Sequence, residues 1–405
     1  MGLFPPESRI FIASGVETVL RCMSGTPATA KDIRTIRNRR IHYFQFIHAI
    51  KLTDDWTLEK TQIKRCNMQM ALYAAHLATG SSLLCKSIKA GTVEKYLLNI
   101  AKFLSNFSNR DVRKEDPTKQ ALAGPIKSVL TEMERWEKVP NRREPFTVEM
   151  QEYLNEQTAN LPNSDKKVMI SKWTTCGLYG GFRLTEYAQP SGHSLNNPIL
   201  DIESNPKAFC LGDLNFQTED KKFLSLKVVL SALGNNNDDI VYRISLTFRY
   251  QKNKANGKTK SFVRNKEKHH LCFIRAMLAI LRNFIALVGL DFTKPLAIYK
   301  DAASGAICTL NASIIEENMR EAAAHVYNIN PLTAEGRKQL QRWSSHSIRV
   351  GACVILYAVG FTAPHIQFML RWKSLSFMVY LRNLAFLCLQ QNASINQVAD
   401  MPNFV

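Results

Sequence analysis

The stretch SSHSIRVGACVILYAVGF, residues 344–361, organises the reading of this chain. His346 and Arg349 stand three residues apart, so a helix over 345–359 places both on one face. The apolar residues that follow, Val350, Val354, Ile355 and Leu356, belong to a core and carry no chemistry. Nine residues beyond it, LRWKSLSFMVYLRN (370–383) sets Arg371 and Trp372 ahead of a tyrosine, Tyr380. Upstream, GLYGGFRLTE (177–186) ends an apolar helix and leads into Arg183, with Glu186 three residues later. Gly177, Gly180 and Gly181 there also suit a plain helix end. Each piece alone is ordinary: His-x-x-Arg occurs in many basic helices, and a tyrosine in apolar surroundings usually packs.

Working outward, helical patterns cover 147–158, 165–180, 268–288 and 312–327, while Phe223–Leu230, Ile240–Tyr250 and Lys260–Val263 read as strands. The last two flank Gln251–Thr259, a turn with Gly257 and three lysines, so they predict a β-hairpin. From Arg249 to Lys268 eight Lys or Arg face one Glu, which suits either a solvated face or a phosphate clamp. The polar, proline-broken run 138–145 reads as a linker. Before it, 51–137 is helical: Met68, Ala71, Leu72 and Ala75 share one spacing, and Val93, Tyr96, Leu97, Ile100 and Leu104 another. Thr92 is the expected N-cap of the second, and Asp116-Pro117 the expected start of a helix toward Trp136. Residues 1–50 hold a basic run, Lys31 to Arg40, and 392–405 read as a tail.

The chain has 405 residues, 53 Lys and Arg against 34 Asp and Glu, and a formal charge of +19. That surplus selects polyanionic partners. The nine cysteines include no C-x2-C pair, so reduced, mostly buried thiols are expected, and neither a metal nor another cofactor is called for. Arg275 and Arg282 interrupt the apolar window 273–290, and 350–361 is too short to span a bilayer, which speaks against a membrane protein.

Taken together, Arg183, a hairpin lysine, His346-x-x-Arg349, Trp372 and Tyr380, with intervals of 23 and 8 residues closing the series, resemble the catalytic set of tyrosine recombinases and integrases. The text around them is most similar to recombinases of eukaryotic mobile elements. The resemblance spans 145–385 well and 55–136 weakly. It implies a mainly α fold with a small antiparallel β-sheet: a helical core-binding domain (51–137) and a mixed α+β catalytic domain (146–391). It implies that Tyr380 becomes joined to DNA as a 3′-phosphotyrosine while Arg183 and Arg349 grip the phosphate. Lys252 fits the proton donor to the leaving oxygen, with Lys254 its rival. His346 would reach the same phosphate, and Trp372 would position it through its indole N–H. Glu186 either orients Arg183 or is a solvated helix-start glutamate. Lys254, Lys258, Lys260, Arg371, Lys373 and Arg382 are expected to touch DNA phosphates.

The expected partner is double-stranded DNA, bound by a homotetramer on two sites. Leu384–Leu389 would either dock on a neighbouring subunit or pack within its own. The location would be nuclear in a eukaryotic host and otherwise nucleoid or cytoplasmic. A type IB topoisomerase and an inactive DNA-binding protein on the same scaffold are the rival readings.

Overall fold

The computed structural model describes residues 30–50, 58, 62–79, 88–116, 118, 120–137, 143–201, 203–251, 256–372 and 374–381. The chain divides into two compact units, Met1–Pro140 and Asn141–Val405. Lys252, Lys254, Lys373, Arg382, the segment 384–389 and the tail 392–405 lie outside the described residues.

The first unit is helical, with α1 (Ala30–Ile50), α2 (Ile63–Ala78), α3 (Ala90–Ser108) and α4 (Gly124–Trp136). Val93, Leu97, Ile100 and Leu104 recur every three or four residues, and all four are buried. Full burial of one such side chain contributes about 1.5–3 kcal/mol. In α2 the inward stripe is Met70, Tyr73, Ala74 and Leu77, joined by Ala71, while Met68 and Leu72 stay exposed. The expected stripe was thus partly turned to solvent, because aromatic packing decides it: Tyr73 meets Tyr43 edge-on at 5.3 Å. Two helix starts also differ from expectation. Helix α3 begins after Lys89 rather than at Thr92. Helix α4 begins at Gly124 with a proline in its first turn, while the Asp116 carboxylate is used locally, accepting from Thr118.

The second unit is mainly α with a small antiparallel sheet. It runs α5 (Val148–Thr158), α6 (Lys166–Gly180), α7 (Leu184–Tyr187), β1 (Leu214–Gln217), β2 (Phe223–Leu224), α8 (Leu226–Gly234), β3 (Arg243–Phe248), β4 (Lys258–Val263) and α9 (Phe273–Val288). Then come β5 (Ile298–Lys300), β6 (Ile307–Thr309), α10 (Ala312–Val326), α11 (Ala334–Leu340), α12 (Ser347–Ala358), α13 (Ala363–Met369) and α14 (Met378–Leu381). The four-stranded sheet has the order β2-β1-β3-β4, and β5 pairs with β6. The expected strand over 223–230 ends after two residues, because the Ser225 hydroxyl accepts from Val228 N and caps α8. Helix α9 starts at Phe273, after a 3-10 turn over His269–Leu271.

The hairpin β3–β4 forms with Phe248 opposite Lys258 and Arg243 opposite Val263. Ile244, Leu246, Phe248 and Phe262 face the core. The opposite face carries hydroxyl pairs, Ser245 with Ser261 at 2.8 Å and Thr247 with Thr259 at 3.0 Å. At its turn end Arg249 forms a two-pronged ion pair with buried Asp213, at 3.1 and 2.6 Å.

Helix α12 lies close against α6 because of glycine. A Cβ on Gly177 would stand 2.6 Å from Ile348, and one on Gly351 would strike the Phe146 backbone. Beyond it, Ala352, Cys353, Ile366, Leu370, Phe377 and Leu381 form a small separate core under α13 and α14. No helix among the described residues is long and apolar enough to cross a membrane.

Candidate active site

Helix α6 is capped by Gly181, whose φ of +55° a glycine adopts without a side-chain clash. A Cβ there would also stand 2.5 Å from Leu370. This turn brings Arg183 out of the core and aims two carbonyls at two arginines. Gly181 O accepts from Arg349 Nη1, and Gly180 O accepts from Arg371 Nη1 at 3.0 Å. Arg349 Nη2 donates to Leu370 O. Arg349 is only 3% exposed. Two of its five N–H groups are spent on these carbonyls, leaving three for a ligand.

Glu186, 2% exposed, is held by arginines from both directions. Its carboxylate accepts from Arg183 Nη1 at 3.0 Å and from Arg371 Nη2 at 2.9 Å. It also accepts from Arg183 N at 2.9 Å, the capping-box bond at the start of α7, so this helix-start glutamate is buried and paired rather than solvated. Arg371, read from sequence as a phosphate contact, is turned inward and is 8% exposed. Its guanidinium lies 3.5 Å over the Phe248 ring. Lys258 is exposed on β4. Lys260, also expected on DNA, is directed to backbone: its Nζ donates to Tyr179 O at 2.9 Å and to Met369 O at 3.4 Å.

His346 and Tyr380 meet at 3.0 Å between Nε2 and the phenol oxygen. The segment before His346 is pinned in several places. Ser345 N donates to Glu316 Oε1 at 3.1 Å, Glu316 pairs with Arg320, and Arg320 Nε donates to Trp343 O. None of these partners was visible in the motif, since Glu316 lies 30 residues upstream of His346. Trp372 packs edge-on against Phe377 at 4.7 Å and Tyr380 at 5.7 Å, beneath Arg349 at 5.0 Å. Its Nε1 is buried with no acceptor among the described residues. An indole N–H placed so lacks a partner that a bound anion can supply.

The charges act on one another. Burial first, then the neighbouring Arg183, brings Arg349 down to about 9. Arg371 falls to about 10 through burial, against the pull of Glu186. Burial and the charges of Arg371 and Arg349 bring Lys260 down to about 8. His346, open at its rim, is held below the ordinary histidine value by the protein behind it and by Arg349, Arg143 and Arg183. Burial raises Tyr380, opposed by Arg349. Several cations around one buried carboxylate make a site short of negative charge.

No known family model matches the chain, and no curated protein matches it. Solved structures resemble it distantly. The integrase of transposon Tn1549, in complex with transposon right-end DNA, is 10% identical with a TM-score of 0.48, over 96% of this chain and 99% of that one. The site-specific recombinase XerH in a pre-cleavage complex with difH is 12% identical at 0.45, over 94% and 84%. A lambda integrase dimer on a COC′ core site is 11% identical at 0.44, over 91% and 94%.

Proposed function

We propose that this chain is a tyrosine recombinase, cutting and rejoining DNA through a phosphotyrosine on Tyr380. The observation that carries the reading is the 3.0 Å contact of Tyr380 with His346, formed within one chain and beside Arg349 and the unpartnered Trp372 indole. The depressed histidine is neutral at pH 7 and can take the phenol proton. The Tyr380 oxygen then bonds to phosphorus as the bond to the 5′-oxygen breaks. Arg183, Arg349 and the Trp372 N–H receive the charge on the non-bridging oxygens. A hairpin lysine protonates the leaving 5′-oxygen: Lys252, or Lys254 beside it. A 5′-hydroxyl from a second strand reverses the same steps and releases the tyrosine.

The motif text extends the proposal to a homotetramer that exchanges strands between two sites, in the integration or excision of a mobile element. A type IB topoisomerase would share the covalent step and relax plasmids without joining two sites. On a nicked DNA that loses its 5′ strand after cleavage, the wild-type chain should accumulate a covalent adduct and Tyr380→Phe none. An adduct that persists in Tyr380→Phe would remove Tyr380 from the chemistry. Plasmid relaxation without two-site products would favour the topoisomerase.

A further inference from the structure

We infer that Arg371 is a positioning residue, which sets Arg183 and Trp372 for the phosphate by way of Glu186. The inference deepens the recombinase reading and rests on it. Three contacts close a ring and a fourth anchors it. Arg371 Nη2 donates to Glu186 Oε2 at 2.9 Å, and Glu186 Oε1 accepts from Arg183 Nη1 at 3.0 Å. Arg183 Nη2 returns to the carbonyl of Arg371 itself at 3.3 Å. The fourth contact, Arg371 Nη1 to Gly180 O at 3.0 Å, ties the ring to the turn that delivers Arg183. The side chain and the backbone of one residue therefore fix the same catalytic arginine from two directions.

Its backbone adds a second, independent sign. Arg371 has φ +57°, a conformation that residues with a Cβ seldom adopt. Trp372 follows directly, and its N donates to Gln367 O at 2.9 Å. The left-handed step redirects the chain so that the indole faces the site rather than continuing α13. Strain of this kind persists where surrounding contacts over-determine it, and here the Phe248 stack and two η-nitrogen bonds do so.

Removal of the guanidinium leaves Glu186 with Arg183 as its remaining ion-pair partner. A buried carboxylate then draws that arginine toward itself and away from the phosphate. Lysine cannot substitute, because a single ammonium does not span Gly180 O and Glu186 as a planar fork does.

The test uses the full chain with Arg371→Gly and Arg371→Lys. Glycine accepts the left-handed backbone, so Arg371→Gly removes the guanidinium while keeping the turn before Trp372. Single-turnover cleavage of the nicked DNA should fall about 10²-fold in both variants, the size of losing one preorganised donor. DNA affinity should stay within about twofold, since the residue makes no phosphate contact in this reading. Placed on Arg183→Lys, the Arg371→Gly change should add almost nothing, because both act on one interaction. A merely structural residue would instead multiply the two losses. Multiplied losses, or wild-type cleavage in Arg371→Gly, overturn this inference alone. Absence of any adduct in the wild-type chain overturns the recombinase reading and this inference with it.

Discussion

Both units carry short-range ion pairs at their surfaces, but the C-terminal unit also buries one that spans much of the sequence. In the helical N-terminal unit two ion pairs of the described residues are local: Arg113 joins Asp111 two residues away, and Arg135 joins Glu132 one turn away. The second of these is wet, with side chains 72% and 53% exposed. In the C-terminal unit Glu186 reaches Arg371 across 185 residues of sequence, with 2% and 6% of their side chains exposed. A surface pair asks little of the fold and returns little stability. A buried one forms only after the tertiary structure has assembled, and it seldom stabilises more than an apolar substitute would. The second arrangement therefore makes sense through what it holds in place, a cluster of Arg183, Arg349 and Arg371 around the turn at Gly180 and Gly181.

Breaking that cluster should give the largest effects. Arg349→Lys keeps the charge but loses the fork that bonds Gly181 O and Leu370 O together. Cleavage measured by rapid quench should drop about 10²–10³-fold, with DNA affinity nearly unchanged. A variant as fast as wild type would show that geometry at this residue does not matter. Next comes His346→Ala, expected to cost about 10²-fold. The sign of its pH dependence follows from the depressed histidine. The neutral form persists to lower pH than in free histidine, so the acid limb of wild-type cleavage should lie below pH 6.5. His346→Ala should lack that limb. A limb above 6.5, or one that survives the substitution, would exclude His346 as the base.

The contrast between units also explains what the letters conveyed. His346 and Arg349 could be read as neighbours because three residues separate them at the start of α12, whereas Trp372, past α13, and Tyr380, on α14, were singled out only through the family resemblance. The hairpin is legible because apolar residues alternate through Ile244, Leu246 and Phe248. Lys260 was open to the same reasoning. It pairs with Leu246 and stands two residues before Phe262, so the alternation already turns it inward. Arg371 offered no such clue. Its acid partner is far upstream, and a positive φ leaves no mark on a residue other than glycine. The apolar run after Phe223 misled for a simpler reason: a few hydrophobic residues suit strand or helix alike, and one serine cap decided it.

The smallest effect belongs to the wet pair. Glu132 accepts from Arg135 at 2.9 Å and from the Trp136 indole at 2.7 Å, yet all three residues are exposed. Water replaces both partners when the carboxylate is removed, so Glu132→Ala should cost no more than about 0.2–1 kcal/mol in chemical denaturation. At about 1 M salt, where the screening length is near 3 Å, most of that difference should vanish. Single-turnover cleavage should match wild type at every pH, since no group at Tyr380 depends on this carboxylate. A salt-resistant loss of several kcal/mol would mean that the N-terminal unit also relies on charge held away from water, and the distinction between the units would narrow to the site alone.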